Sequence, residues 1–234
     1  MTIVPLSKSP VAPMPPAISS HPVSIRKRLP RLERERMIID EAIRFFAENG
    51  FEGQTRALAE RLGVTQPLLY RYFPDKDSLI DRVYEEVYTK RWNPEWEGLL
   101  RDPTLSLGER LTRFYREFSE TYFTYTTLRI YLFAGLKGVK IRRRGQIDLS
   151  DRVVTPVCDE VRRMAGLPLS TERPLSAQEI ELFYSMHASF FYRALRQWVY
   201  GVEIKESMDE VVAATVGCFV EMAPKAFARM AAGR

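Results

Sequence analysis

Residues 56–79 constrain the fold of this chain more than any other stretch, because they read as two short helices joined by a tight turn. Leu58, Ala59 and Leu62 lie at helical spacing and give the first helix one apolar side. Gly63 follows at once, at a position where a helix end favours a residue that tolerates a left-handed backbone. The pattern therefore predicts a short helix that ends in a sharp turn.

The second helix of this pair is predicted to begin near Thr65. Thr65 can cap it by accepting a hydrogen bond from a free backbone N–H, and Pro67 falls in its first turn, where a missing N–H costs little. Leu69 and Phe73, four residues apart, form its buried stripe. The residues left facing outward are Gln66, Pro67, Leu68, Tyr70 and Arg71. This arrangement predicts a helix-turn-helix, whose second helix enters the major groove of DNA.

The same part of the chain, about residues 35–85, resembles the TetR family of bacterial transcriptional regulators. The family motif is a set of glycine, apolar, hydroxyl and lysine positions at near-fixed spacings. The motif residues in this chain are Gly50-Phe51, Leu58-Ala59, Gly63-Val64-Thr65, Leu69-Tyr70, Phe73, Lys76 and Leu79. Between the first two pairs the chain is one residue shorter than the usual family spacing, and Thr55 stands where the family often has two hydroxyl residues.

The resemblance implies an all-α protein with an N-terminal three-helix DNA-binding domain and a larger helical domain that binds a ligand and forms a dimer. We expect a disordered, basic, Pro-rich arm over residues 1–29 and the helix-turn-helix domain over residues 30–76. Residues 77–234 are then expected to form the helical ligand-binding and dimerisation domain.

The placement of charge singles out the N-terminal arm. The chain has 234 residues and a formal net charge of +5. Residues 1–31 contain five basic side chains and no acid, so the remainder is neutral. Two interpretations stay open. The arm can meet a polyanion first, with Arg26, Lys27 and Arg28 reaching a DNA minor groove, or it can be a solubilising tail.

Other features indicate a cytoplasmic protein without a cofactor. No stretch approaches the roughly 18 continuous apolar residues of a membrane helix, and the proline-rich N-terminus does not read as a secretory signal. Cys158 and Cys218 lie far apart and form no metal or redox spacing, so we expect two reduced, buried thiols. We therefore predict no cofactor, no metal site and no membrane contact.

Hydrophobic spacing predicts helices along the rest of the chain. Asp75 is a good cap for the helix after Pro74, and Lys76 at its first position calls for an anion, either a DNA phosphate or the neighbouring aspartates. Pro156 predicts a kink or a late start in its helix.

The first helix is expected to end at Asn49-Gly50, and a loop is expected from Asn93 to Pro103. A basic patch occupies residues 140–145. The later helices are expected at about residues 106–125, 128–139, 148–165, 176–200 and 207–230.

Ten residues are predicted to contact DNA. Gln66 can pair bidentately with adenine, and Leu68 can touch a thymine methyl. The others are expected at phosphates or helix starts, although Tyr70 and Tyr72 can instead pack against the first helix. The predicted DNA-binding residues are Thr55, Arg56, Thr65, Gln66, Pro67, Leu68, Tyr70, Arg71, Tyr72 and Lys76.

The aromatic-rich second half predicts a pocket for a small apolar or aromatic molecule, although core packing is the favoured explanation for any single residue. The pocket residues predicted are Phe114, Phe118, Tyr122, Phe133, Phe183, His187 and Phe191. The last two helices are apolar on more than one side, which favours a homodimer formed through them.

These expectations combine into a ligand-responsive repressor that binds a palindromic double-stranded DNA operator as a homodimer and is released by a small-molecule effector. Repression is implied by the resemblance alone. Two alternatives remain. An enzyme with a dispersed active site is disfavoured because the chain has no phosphate loop, nucleophile elbow or clustered metal ligands, so we predict no catalytic residues. A ligand-independent structural DNA-binding protein would not need the large neutral second half.

Overall fold

The structure is a computed structural model that describes residues 30–136 and 149–233. The described part is all-α, as predicted, and contains no strand. Its helices are α1 (Arg31–Asn49), α2 (Thr55–Arg61), α3 (Gln66–Tyr70), α4 (Lys76–Val87), α5 (Glu95–Arg101), α6 (Leu107–Tyr122), α7 (Tyr125–Leu136), α8 (Thr155–Met164), α9 (Ala177–Trp198) and α10 (Met208–Ala232). We call α5–α10 the helical body. The basic arm and the basic patch at residues 140–145 lie outside the described residues.

The turns between the first helices form where the sequence places glycine. Gly63 has a φ of 65°, and the next N–H, that of Val64, donates to the carbonyl of Ala59 at 3.0 Å. This hydrogen bond closes a turn of six residues and satisfies a carbonyl that the end of α2 would otherwise leave without a partner. Gly50 ends α1 with a φ of 69°, and Phe51 turns back so that its ring lies 5.3 Å from that of Phe46. Both predicted helix ends are confirmed.

The N-terminal helices share one apolar core with the helical body. Leu58, Leu69 and Phe73 are buried against α1, as predicted, and α1 packs on both α4 and α7. A group of three helices this small would be marginal alone. Its continuity with the larger core supplies the missing support, and the division predicted at residue 76 stays a prediction.

One helix of the body was not predicted. Residues 93–103 read as a loop because prolines stand at both ends, but α5 forms between them. Trp96 is 2% exposed and Leu100 is 1% exposed, and the indole N–H of Trp96 donates to Glu117 at 2.7 Å. Pro94 at the N-cap and Pro103 beyond the C-cap are both compatible with a helix between them, and burial of the Trp96 side chain against α6 stabilises it.

Local capping fixes where the long helices begin. Ser106, Ser176 and Ser207 each accept from a backbone N–H three residues later, and the glutamate at that position bonds back, so that each forms a capping box. The start of α8 is late, as predicted: Pro156 lies in its first turn, preceded by a π-helical turn over Ser150–Val154. The end of α6 at Tyr122 and the start of α7 at Tyr125 are both earlier than expected.

The outer face of α10 differs from expectation. Cys158 is buried, but Cys218 is exposed on α10, so the prediction of two buried thiols is wrong for Cys218.

Among the described residues, α10 is long and apolar enough to cross a membrane by length and composition. Its most apolar 18 residues have a mean hydropathy of 1.4, and 28% of them are buried. A core helix of a soluble protein can meet the same criterion, but this one leaves much apolar surface uncovered.

Candidate nucleic-acid interface and ligand cavity

Helix α3 presents an outward edge while one side chain anchors it. Leu69 is 1% exposed in the core, whereas Pro67, Tyr70 and Arg71 are exposed. Leu68 is half-buried. The helix has only five residues, so its direction depends on this anchor and on the turn before it rather than on its own hydrogen bonds.

Three polar side chains join α2 to α3. The Gln66 amide N–H donates to the Thr55 hydroxyl at 2.9 Å, and the Thr55 and Tyr70 hydroxyls lie 2.9 Å apart. The Gln66 nitrogen is also 3.5 Å from the Tyr70 hydroxyl, near the limit of a hydrogen bond. Thr55, Gln66 and Tyr70, which we call the polar triad, thus hold the first turn of α3 in one orientation. Gln66 keeps its amide oxygen for an outside donor.

The capping prediction for Thr65 requires correction, and the DNA contact predicted for Thr55 stays a prediction. Thr55 is only 7% exposed and its hydroxyl is engaged within the polar triad, where it holds its neighbours. Thr65 occupies the N-cap position of α3 but makes no side-chain capping bond, and its side chain is exposed. The exposed hydroxyl of Thr65 is free to turn towards an external acceptor.

The remaining predicted DNA-binding residues surround α3. Arg56 is exposed and pairs with Glu60 at 3.1 Å, while Tyr72 is half-buried against the core, as the packing alternative expected. Lys76 opens α4 directly after Asp75, whose carboxylate accepts from the Ser78 N–H at 2.7 Å. Hydrogen bonding from the Ser78 side chain, and then from this N–H, lowers the pKa of Asp75. Asp75 therefore caps α4, as predicted.

An ion-pair cluster fixes α2 on α1. The Arg61 guanidinium bonds Glu48 at 2.5 Å and also contacts Glu41, both on α1. The hydrogen bond with Glu48 is the largest influence that raises the pKa of Arg61. Because Arg61 ends α2, this cluster sets the angle from which α3 departs.

A cavity of about 140 Å³ lies inside the helical body beside α4. Its walls come from α4, α6, α7 and α9 and from the ends of neighbouring turns. Its lining residues are Tyr84, Tyr88, Phe118, Tyr122, Phe123, Leu128, Tyr131, Leu149, His187 and Phe191. Four predicted pocket residues, Phe118, Tyr122, His187 and Phe191, are therefore on the wall.

The other three predicted pocket residues lie elsewhere. Phe114 and Phe183 are 1% and 0% exposed in the core and do not line the cavity, although each lies one turn before a wall residue on the same helix face. Phe133 is half-buried at the junction with α1, where an added Cβ on Gly50 would lie 3.1 Å from its ring. Tyr84 of α4 and Tyr88, which follows the end of that helix, were not predicted to line the cavity, although they stand four residues apart beside its apolar side.

Hydrogen bonds already occupy some polar groups of the cavity. Tyr88 donates to the Thr127 carbonyl at 2.6 Å, and Tyr122 donates to the Tyr88 carbonyl at 2.9 Å. Burial raises the pKa of Tyr84 to about 12 and also raises that of Tyr88. These phenols are therefore neutral at physiological pH. Burial lowers the pKa of His187 to about 4, so the imidazole is neutral too.

Two helices connect the cavity with the N-terminal helices. Helix α4 carries Tyr84 on the cavity wall and Lys76 at its start, about 12 Å apart along the helix axis. Helix α7 carries Tyr131 on the wall, and its Arg129 donates to the carbonyls of Ala47 and Glu48 at 2.5 and 3.3 Å. A change of shape at the cavity thus has two physical routes to α1 and α3.

Taken together, α2, the tight turn and α3 define a helix-turn-helix protein with a helical body. Residues 38–83 match the family model described as bacterial regulatory proteins, tetR family. The tetracycline repressor protein class D of Escherichia coli is 33% identical over 92 residues, which are 36% of this chain and 42% of that protein. The HTH-type transcriptional repressor KstR of Rhodococcus jostii is 32% identical over 107 residues, 44% of this chain and 49% of that protein.

The match thus spans about half or less of the curated relatives' length. Solved structures show that the likeness of fold extends further. A TetR-like transcriptional regulator from a Rhodococcus species covers 88% of this chain and all of its own, with a TM-score of 0.53 at 20% identity. A TetR transcriptional regulator from Agrobacterium tumefaciens covers 81% and 94%, with a TM-score of 0.54 at 18% identity. Residues 38–83 of the chain thus match the tetR family, and the solved structures extend the likeness of fold to the rest of the described helices.

Proposed function

We propose that this chain is a transcriptional repressor that binds a palindromic DNA operator as a homodimer and releases it when a small apolar or aromatic molecule enters the body. The observation that carries the proposal is the outward edge of α3, anchored by Leu69 and oriented by the polar triad. A short helix held this way can lay its first residues against base edges in a major groove.

Gln66 contacts the bases, and the residues that contact phosphates lie around it. Its amide oxygen and its second N–H can pair with adenine, while Thr55 and Tyr70 keep the amide from rotating away. Arg71, Thr65 and Lys76 supply charge and hydrogen bonds to the backbone of the duplex. Two copies must place their α3 helices about 34–36 Å apart, or a multiple of that distance, to read one face of DNA.

The dimer forms through α9 and α10, which lie side by side. Many of the exposed side chains on these two helices are small, which allows two helices to approach closely. The exposed residues on these faces include Ser185, Ala188, Ser189, Tyr192, Ala213, Ala214, Gly217 and Cys218. Covering them with the same faces of a second copy would also explain why α10 is so apolar outside the core.

Replacing Gly217 by glutamate should break the dimer. A Cβ added at Gly217 meets nothing within 4 Å in the single chain, and the position is exposed, so we expect the folded monomer to tolerate glutamate, whereas the dimer would bury its carboxylate. Gly98→Glu on α5 is the matched control, because a side chain there also meets nothing within 4 Å. Light scattering on a sizing column should show a monomer for Gly217→Glu and a dimer for the control. Two dimeric variants would remove this interface from the proposal.

Replacing Gln66 or Lys76 by alanine should have distinct effects on DNA binding. Gln66→Ala should relax the preference at one base position by about 1–3 kcal/mol. Lys76→Ala should weaken all sequences alike and reduce the slope of affinity against salt by about one unit. Affinities on matched operator and random duplexes at several salt concentrations separate the two roles.

Two further variants serve as references for that measurement. Lys90→Ala removes the same charge beyond the far end of α4, where Lys90 pairs with Glu86 at 3.2 Å, and should leave the salt slope unchanged. Thr55→Val removes the hydroxyl that holds the Gln66 amide and should shift the same base preference in the same direction. Equal behaviour of Gln66→Ala and Lys76→Ala would contradict the assigned roles.

The proposal as a whole is tested by selecting bound sequences from random DNA with the purified chain. An inverted repeat containing one preferred base step per half-site is expected. Enrichment without a repeat would instead favour the ligand-independent structural DNA-binding alternative. The enzyme alternative has no support from the repressors that match the chain, and the expectation of no catalysis stays a prediction.

A further inference from the structure

We propose that the cavity binds an uncharged, single-ring aromatic molecule whose polar substituent accepts a hydrogen bond from Nε2–H of His187. This inference rests on the proposed ligand-controlled function and names the class of effector. Three independent observations carry it: the size of the cavity, the chemistry of its wall, and the hydrogen-bonding state of one imidazole.

The size of the cavity limits the ligand to about one ring. Its volume is about 140 Å³. An apolar protein cavity of about 150 Å³ accommodates benzene. A larger ligand would have to displace Tyr84, Tyr88 or Phe118 or extend out through the open side of the cavity, and the rings of Tyr84 and Tyr88 stack with centroids 4.6 Å apart. Flat aromatic walls on several sides favour a flat guest, since rings pack well in offset and edge-to-face arrangements.

The chemistry of the wall excludes a charged ligand. Within the described part of the chain, the lining residues are aromatic or aliphatic apart from His187, and none is an acid, a lysine or an arginine. An ion in such a site would lose its hydration without a counter-charge on the wall itself; Arg91, outside the lining, acts electrostatically on Tyr88 and Tyr122. The hydroxyls of Tyr88 and Tyr122 already donate to backbone carbonyls, so these tyrosines do not offer that proton to a guest.

The imidazole of His187 is left with one usable donor. The Tyr115 hydroxyl lies 3.2 Å from Nδ1 of His187, and Tyr115 is 0% exposed. A buried phenol needs an acceptor, so the hydroxyl donates and Nδ1 accepts. The neutral ring must then carry its proton on Nε2. Among residues 30–136 and 149–233 no acceptor bonds that N–H, and the surrounding groups are the rings of residues such as Phe118, Phe123 and Phe183.

Two probes of nearly the same shape test the hydrogen bond. Acetophenone carries a carbonyl oxygen where α-methylstyrene carries a CH₂ group, and benzoate is a charged ring of similar size. Titration calorimetry on the full chain should show binding of the first two and none of benzoate. The ratio of acetophenone to α-methylstyrene affinity should fall about fivefold to tenfold in His187→Leu, because the ketone oxygen then loses its donor.

Three other variants make the result specific to this donor. His187→Gln retains an N–H donor and should preserve most of the affinity ratio, which also guards against misfolding of His187→Leu. Tyr115→Phe removes the group that fixes the tautomer, without touching the ligand, and should lower the ratio partway. Phe191→Leu changes the wall without changing a donor, and should weaken both probes while leaving their ratio unchanged.

The outcomes separate this inference from the proposed function. An affinity ratio unchanged in both His187 variants, benzoate binding as tight as acetophenone, or no binding of any probe would overturn the inference. DNA selection and operator binding by the same preparations report on the proposed function independently. A chain that binds its operator but fails the probe test keeps the function and loses this ligand class.

Discussion

Replacing Glu179 by alanine will lower the free energy of unfolding by about 3–5 kcal/mol. Glu179 is 2% exposed and forms two hydrogen bonds of 2.8 Å with Arg162, which is 0% exposed. Removing the carboxylate leaves a buried guanidinium without its counter-charge. Burial alone would raise the pKa of Glu179, but the hydrogen bonds from Arg162 and Ser176 outweigh it and hold that pKa at about 2.

The guanidinium of Arg162 makes further hydrogen bonds that increase the expected loss in the free energy of unfolding. It donates to the carbonyls of Pro168, Arg173 and Pro174, and so holds the segment between α8 and α9. Glu179 also completes the capping box at the start of α9 with Ser176. Both the segment and the helix start should loosen when the pair is broken.

Urea unfolding followed by circular dichroism measures this effect. Glu179→Gln keeps an acceptor oxygen and should lose less than Glu179→Ala. The double variant Arg162→Met with Glu179→Leu should lose less than the sum of the two single variants, because it leaves no charge unpaired. A loss below about 1 kcal/mol in Glu179→Ala would show that the pair contributes as little as a surface pair does.

Lowering the pH should also lower the free energy of unfolding, because of His187. Relative to its value above pH 6.5, we expect a decrease of about 2 kcal/mol at pH 5 and of up to about 3 kcal/mol at lower pH. Burial holds the pKa of this imidazole at about 4, against 6.5 for the ordinary group. Between those two values the unfolded chain binds the proton and the folded chain does not. The free energy of unfolding is therefore undiminished above pH 6.5 and decreases as the pH falls towards 4.

His187→Gln should flatten that dependence between pH 7.5 and 5. Urea unfolding at several pH values in this window isolates the imidazole, because Glu179 titrates well below it. His21→Gln, which removes the other histidine of the chain, is the matched control for losing one titrating group. A wild-type stability that stays constant down to pH 5 would show that the imidazole is accessible to a proton in the folded state.

The local structure around the helix-turn-helix could be predicted from the sequence because its signals are short-range. Gly50 and Gly63 end helices with positive φ, Pro67 lies in a first turn and Asp75 caps α4. Each of these depends on a residue and its nearest neighbours along the chain. The same signals misled at α5, where flanking prolines favoured a loop and the burial of Trp96, a contact with a distant helix, decided the outcome.

The cavity could be predicted only in part, because spacing shows which residues share a helix face but not what that face meets. Phe114 and Phe118 are four residues apart on α6, yet only Phe118 lines the cavity. Thr55 was assigned to a phosphate because it starts a helix, and the structure shows its hydroxyl engaged with two side chains from α3. Both differences arise from contacts between helices that no local pattern records.

The contact of Arg129 with the last carbonyls of α1 bears on how such proteins can be recombined. Residues 30–76 take part of their rigidity from α7, through this guanidinium and through the Phe133 ring beside Gly50. A chimaera that joined residues 30–76 to the body of a relative would leave both supports behind. Transplanting the proposed operator preference therefore requires grafting the α7 side chains together with residues 30–76.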